Sequence, residues 1–248
     1  MNKKTYITIC HILILVITFI FVFGIVKVSA TDDEDFAIKD EATLIIDRGF
    51  QNFAKKNTYT PDQFTDVPTS EWYSENVQTA FELGLIKGSS ATTFSPSGNL
   101  TIAEAITLAS RLCSIYYNAS ENFVQSGNEW YDVYVNYALD AEIIAQGQFS
   151  DYTKDASRAD FARIFANALP DEAMEIINWV QDNAIPDVKI SDDFGSSVYL
   201  LYRVGILTGS DVLGTFNPSS PIERSEAAAL VTRMAIPSLR QNRSFAIY

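Results

Sequence analysis

The sequence predicts an all-α protein of three tandem helix-loop-helix repeats preceded by a signal peptide. Three observations carry this. One segment recurs, at residues 64–112, 129–169 and 185–234. Each copy places apolar residues at helical spacing and ends that run on glycine. Each then opens a second helix on a hydroxyl or acid followed three residues later by another acid, the spacing of a capping box.

The first and third copies agree element for element. Asp66 and Val67 match Asp187 and Val188, the run 84–88 (GLIKG) matches 205–209 (GILTG), and 93–96 (TFSP) matches 215–218 (TFNP). The second copy keeps Trp130, Tyr131, Ile143, Ile144, Gly147 and an arginine-bearing cap. It has a shorter middle loop and no Phe-x-Pro. In the first helix Val77, Ala80, Phe81 and Leu85 share a face, and Gly84 and Gly88 end it. Thr101 with Glu104, and Ser157 with Asp160, begin the second helix; Glu223 replaces the hydroxyl in the third copy and predicts a weaker cap. Two short helices cannot bury their apolar faces alone, so the repeats must pack on one another. The organisation expected is 1–30 signal peptide, 31–61 acidic helical spacer, 62–119 repeat 1, 120–170 repeat 2, 171–184 linker, 185–236 repeat 3 and 237–248 C-terminal tail.

The leader combines Lys3 and Lys4, an apolar run over 7–26 and a small-residue exit at Val28, Ser29 and Ala30. That is the pattern of a secretory signal cleaved after Ala30. The run is also long enough to span a bilayer, so an uncleaved anchor and membrane attachment through residues 7–26 is the alternative. Either way the rest of the chain is exported. Without the leader, which carries three lysines and no acid, 15 basic residues face 31 acidic ones. Such a balance disfavours nucleic acid and anionic membrane surfaces as partners.

The only histidine, His11, lies in the leader. A Ser-His-Asp triad and a His-ligated zinc site are therefore excluded from the exported part. Neither a Walker loop nor a dinucleotide fingerprint occurs, and the run 191–195 (SDDFG) has the wrong spacing for an EF-hand. No catalytic residue, metal or cofactor is expected. Cys113, flanked by Ala109, Leu112 and Ile115, reads as a buried free thiol. In the linker, Met174, Ile177 and Trp179 are placed to cover a core edge. The tail (RQNRSFAIY) is expected to fray.

One feature of the long helices resists a packing account. Arg158 and Arg224 fall at the first helical position, where the partial positive charge of the helix disfavours a cation. Unpaired N–H groups at a helix N-terminus beside a guanidinium suit a carboxylate or phosphate. A bridge to an acid of a neighbouring repeat, such as Asp66 or Asp187, is the structural alternative.

The order Phe-x-Asp-Val-Pro, aromatic pair, Gly-Leu/Ile-Ile/Leu-x-Gly, Thr-Phe-x-Pro, and then LTIAE (100–104), ASRAD (156–160) or IERSE (222–226) resembles the S-layer homology (SLH) domain, in triplicate over residues 64 to about 236. The resemblance implies a pseudo-threefold helical bundle whose inter-repeat grooves hold a secondary cell-wall polymer linked to peptidoglycan, often ending in a pyruvylated sugar. It also implies ligand-binding roles for Arg158, Arg224, Asp66, Asp187, Trp72, Trp130, Gly88, Gly147 and Gly209. This chain departs from the pattern: Ile102 replaces the arginine in the first copy, the third lacks the Trp, with Asp193 and Phe194 nearest, and the second lacks Asp-Val-Pro.

The expected function is thus a non-catalytic cell-surface module that anchors noncovalently to a wall polymer. Alternatives are an enzyme acting on wall glycans, disfavoured because the repeats account for the prominent acids, and an envelope protein partner contacted through Tyr116, Tyr117 or the tail. An uncleaved leader would make the chain a bridge between membrane and wall.

Overall fold

A computed structural model describes residues 49–245. The leader, most of the acidic spacer and residues 246–248 lie outside the described residues, and with them the expected cleavage site and the apolar run 7–26. The helices are α1 (Ser74–Glu82), α2 (Ile102–Asn118), α3 (Asp132–Asp140), α4 (Arg158–Phe165), α5 (Gly195–Arg203) and α6 (Arg224–Ala235). Short 3-10 turns, Asp171–Ala173 and Pro237–Leu239, follow α4 and α6. Isolated β-bridges but no strand occur among the described residues, so the chain is helix-rich as its periodicity predicts.

The helices alternate between two kinds. α1, α3 and α5 follow an aromatic residue, Tyr73, Tyr131 or Phe194, that makes no side-chain cap. Each is closed by a residue at positive φ: Gly84 (75°), Glu142 (58°) and Gly205 (75°). The N–H of the residue after it returns to a carbonyl in the helix, Leu85 to Ala80 (2.9 Å), Ile143 to Ala138 (2.8 Å) and Ile206 to Leu201 (2.9 Å). These are left-handed C-terminal closures, for which glycine has the least strain.

α2, α4 and α6 begin at Thr101, Ser157 and Glu223. The Thr101 hydroxyl accepts from the Glu104 N–H (3.2 Å) while Glu104 accepts from the Thr101 N–H (2.8 Å). Ser157 and Asp160 repeat the exchange at 3.1 Å in both directions. In the third pair Glu226 accepts from the Glu223 N–H at 3.2 Å.

The residues just before these caps join the three helix pairs. Leu100 N–H donates to Ile222 O (3.0 Å), Ile222 N–H to Ala156 O (3.0 Å), and Ala156 N–H to Leu100 O (2.8 Å), which closes a ring. The next two N–H groups of each helix turn outward to a neighbouring loop. Ile102 and Ala103 donate to Lys154 and Tyr152, Arg158 and Ala159 to Ser220 and Pro218, and Arg224 and Ser225 to Gly98 and Pro96. Together with the caps, these bonds satisfy the donors that a helix start normally leaves open.

Packing follows the same cycle. α3 lies on α2, α5 on α4 and α1 on α6, and α2 also touches α4 and α6. The Thr232 hydroxyl donates to Asn76 Oδ1 (3.0 Å), tying the last helix to the first. Val77, Leu85, Ile106, Leu112, Phe161, Phe165, Val198 and Val231 are fully or almost fully buried. Cys113 is buried as its neighbours predict, forms no disulfide and accepts from the Tyr137 hydroxyl at 3.6 Å.

Three expectations need correction. The described tail is docked rather than frayed. Arg240 is buried and donates to Ala173 O (2.7 Å), Arg243 donates to Thr208 O and Asp211 O (2.7 Å each), and Phe245 pairs with the 179–181 backbone. Asn178, 3% exposed, brackets this arrangement by donating to Tyr202 O and Gln241 O and accepting from the Arg243 N–H. Trp179 does not cover the core; it is 63% exposed, because the bracket directs Asn178 and Val180 inward on either side of it. Tyr116 is not an exposed contact residue, being 5% exposed and edge-on to Phe50.

Glu142 holds a left-handed conformation on the surface where the matched positions have glycine. Glu142→Gly should therefore raise unfolding free energy by about 0.5–1 kcal/mol, the strain relieved exceeding the added chain entropy. Urea titration of the two proteins checks this.

Candidate functional site: grooves between the helix pairs

Each groove has two walls: the start of a long helix, and the turn that enters the first helix of the next pair. The entering turn is residues 70–73, 128–131 or 191–194, and each ends on the aromatic N-cap of its helix, Tyr73, Tyr131 or Phe194. The residue before it is therefore Trp72, Trp130 and Asp193 at matched positions.

The two tryptophans have the same setting. Trp72 stands edge-on to Tyr73 (5.4 Å between centroids, 85°) and Trp130 to Tyr131 (5.5 Å, 83°). They remain 61% and 51% exposed. A large aromatic ring so exposed, and braced by its neighbour, offers a flat face to the apolar side of a sugar ring. Both hold the position that Asp193 holds in the third entering turn, where it lines the groove against α4.

The arginines are placed differently from what their position at a helix start suggested. Arg158 Nε donates to Phe216 O (2.7 Å), its guanidinium pairs with Glu226, and it lies over the Phe216 ring at 5.3 Å. Arg224 Nε donates to Phe94 O (2.8 Å), Nη2 donates to Lys87 O (2.7 Å), and the group lies over Phe94 at 4.9 Å and 3.9 Å from Glu104. The two side chains are only 10% and 13% exposed. Burial lowers the Arg224 pKa from its ordinary value, with Glu104 and then Asp66 drawing it back up. Each arginine thus crosses from one helix pair to the Thr-Phe-x-Pro loop of the next. The helix-start N–H groups that would have assisted anion binding are already bonded to those loops.

The first pair has Ile102 at the arginine position. Its facing loop carries Ser150 where the others have Phe94 and Phe216, since Tyr152 occupies the Pro96 and Pro218 position. Cation and ring are absent together, as expected of a packing pair.

Asp66 accepts from the Phe94 and Ser95 N–H groups at 2.8 and 2.7 Å, and Asp187 from Phe216 and Asn217 at 2.8 and 2.6 Å. Both aspartates clamp their own loops. Gly88 and Gly209 serve the same loops: a Cβ at Gly88 would lie 2.4 Å from Ser90 O, and one at Gly209 2.5 Å from the Gly214 backbone. Gly147, at φ 75°, has open space around it.

The structure therefore leaves Trp72, Trp130 and Gly147 exposed and engages Arg158, Arg224, Asp66, Asp187, Gly88 and Gly209 in contacts within the fold. A residue that sequence reasoning passed over is Arg163, on α4. It lines a groove of about 560 Å³ with Ala159, Asp160, Asp192, Asp193 and Phe194. Its signal was available: the matched positions on α2 and α6 are Thr107 and Ala229.

Arg158→Ala should cost about 2–3 kcal/mol of stability, because Phe216 O loses its donor and the ring its cover. Trp72→Ala and Trp130→Ala should each cost less than about 1 kcal/mol, as most of each side chain is in water. Thermal or urea unfolding of the three variants separates the two classes.

A family model for the S-layer homology domain matches residues 63–106 and 184–228. The chain is 24% identical over 177 residues to the S-layer protein sap of Bacillus anthracis, and 24% identical over 177 residues to an S-layer protein of Bacillus thuringiensis subsp. finitimus. Each match covers 68% of this chain and 21% of the relative, so the chain spans about a fifth of the length of those relatives. The two stretches that share the Asp clamp, the glycine closure and the Thr-Phe-x-Pro loop are thus the two that are similar to the S-layer homology domain.

Proposed function

We propose that this chain is an exported, non-catalytic anchoring module of the cell surface that binds a peptidoglycan-linked secondary cell-wall polymer noncovalently. In this reading residues 129–169 are a third, diverged SLH repeat, and the bound polymer carries a pyruvylated sugar. The observation that carries the proposal is the pair of braced, exposed indoles, Trp72 and Trp130, at equivalent lips of two grooves. The similarity of residues 63–106 and 184–228 to SLH domains supports it.

In this reading the labour is divided among the residues of the grooves. Sugar rings stack on Trp72 and Trp130, and Gly147 lets a glycan approach the backbone. Arg158, Arg224, Asp66 and Asp187 act as positioning residues that keep the groove walls in register. Two moderate sites on one chain, and neighbouring chains on one wall, would multiply affinity through avidity.

Co-sedimentation of the full chain with purified wall sacculi tests this, with sacculi stripped of their polymer as control. The chain should pellet with native and not with stripped walls. Trp72→Ala/Trp130→Ala should reduce pelleting at least tenfold while leaving the unfolding curve nearly unchanged. Equal pelleting with both wall preparations would overturn the polymer as ligand and favour an envelope protein partner. The tryptophan variant is a cleaner probe than Arg158→Ala/Arg224→Ala, whose loss of binding would be confounded by loss of fold.

A further inference from the structure

The chain approaches α1 and α5 along the same course. The Lys56 and Asn57 N–H groups donate to Glu82 O (2.7 and 3.0 Å), and those of Ile177 and Asn178 to Arg203 O (2.9 and 2.8 Å). The Asn57 side-chain amide donates to Phe81 O (2.7 Å), and that of Asn178 to Tyr202 O (3.0 Å). Asp62 and Asn183 then turn the two approaches at positive φ, 59° and 64°. Residues 57–60 and 178–181 are therefore matched segments, but only the second is covered. There Phe245 N–H donates to Trp179 O and Gln181 N–H to Phe245 O, at 3.1 Å each, in a parallel bridge, and Arg243 N–H donates to Asn178 Oδ1 (2.7 Å).

The equivalent groups of the first pair, Asn57 Oδ1, Thr58 O and Thr60 N–H, have no hydrogen-bond partner among the described residues. Asn57, Thr58 and Thr60 are exposed, whereas Asn178 and Val180 are buried. The core beneath is closed all the same. Tyr59, at the Val180 position, packs edge-on to Phe64 and Phe81 (5.9 Å each), where the third pair sets the Phe245 ring against Tyr202 (6.0 Å). What remains open is a backbone edge of Thr, Tyr and Thr, residue types that suit a strand. The tail has an open edge of its own. Phe245 turns its N–H and C=O to residues 179–181, so alternation along an extended strand turns those of Ser244 outward. Ser244 is exposed; its hydroxyl accepts from the Trp179 N–H, while its backbone groups have no partner among the described residues.

We propose that these two edges are halves of one interface, the tail edge at Ser244 of one copy adding as a strand to the Thr58–Thr60 edge of a second copy. Unpaired strand edges are templates for such addition. The occupant is a second copy because every copy carries both halves, and residues 243–245 already cover the matched segment within the chain. The halves lie on different helix pairs, so the contact is heterologous. Each copy added offers a fresh edge, and the copies join head to tail. Pro61 ends the receiving edge and keeps the contact short, which makes it weak for two copies in solution and effective where many are held side by side. None of this depends on which ligand the grooves take.

Sedimentation velocity of the full chain over a wide concentration series tests the assignment. The sedimentation coefficient should rise with concentration. Thr60→Pro removes the receiving N–H, which bonds nothing within the described residues, and should weaken association at least tenfold while leaving the unfolding curve unchanged. Should the proline disturb the fold, Thr58→Lys/Thr60→Lys serves instead, since lysines on an exposed edge deter pairing. A peptide of residues 242–248 should compete and lower association of the unaltered chain. Association that persists in both edge variants overturns the proposal, because the copies then meet through another surface. A monomer at every concentration overturns it as well. Peptide binding by that monomer, lost in Thr60→Pro, would assign the edge to an extended segment of another protein.

Discussion

Three backbone N–H groups, those of Leu100, Ala156 and Ile222, each donate to the carbonyl of another of the three. The rest of the described chain depends on that closed ring. It lies immediately before the caps of α2, α4 and α6, so it fixes the mutual orientation of the three long helices at their starts. The outward N–H pairs that follow bind each long helix to the loop of a neighbouring pair. No backbone donor is left over at these buried helix starts, which is the condition for burying them at all. The first helices then lean on the long helix of the preceding pair, and the last pair closes onto the first through α6 and α1.

The grooves are a consequence of this arrangement. The groove between α4 and residues 191–194 lies where a long helix start meets the entering turn of the next pair. Two of the grooves inherit the same indole at the same lip, braced by the same edge-on tyrosine. The third has been rebuilt with charge. The residues along these walls fall into two kinds: those that hold the walls, such as Arg158 and Asp187, and those that the walls leave exposed or half-exposed, such as Trp130 and Arg163. The holding residues have their polar atoms directed at protein carbonyls and N–H groups; the presented ones keep theirs for water or ligand.

Local structure was legible in the sequence to the extent that it is local. The capping pairs Thr101 with Glu104 and Ser157 with Asp160, the glycine closures, and the burial of Val77, Ala80, Leu85 and Cys113 all follow from spacing within one helix. The ring was not legible, because Leu100, Ala156 and Ile222 contribute backbone to it and their side chains share only burial. That hidden contact is also why spacing alone left Arg158 and Arg224 open between an anion site and a bridge to a neighbouring pair. A helix start with free N–H groups would welcome an anion, but these N–H groups are taken by loops far away in sequence, and the guanidinium is drawn to Phe216 or Phe94 and its carbonyl. Comparing copies position by position would have drawn attention to Arg163, an arginine opposite Asp193 at positions otherwise occupied by small residues and tryptophan. The docked tail had a fainter signal in Asn178, which repeats Asn57: each donates its side-chain amide to a carbonyl near the end of its own pair's first helix, Phe81 O or Tyr202 O.

The central claim is that the backbone ring is one cooperative element that holds the three helix pairs together. Native-state hydrogen exchange at the amides of Leu100, Ala156 and Ile222 tests it most directly. The account predicts that all three exchange only through global unfolding, with equal protection and equal dependence on denaturant. Exchange of the Ala156 amide through a local opening of lower free energy than those of Leu100 and Ile222 would contradict it, since the middle pair would then be attached to the fold and not part of its closure.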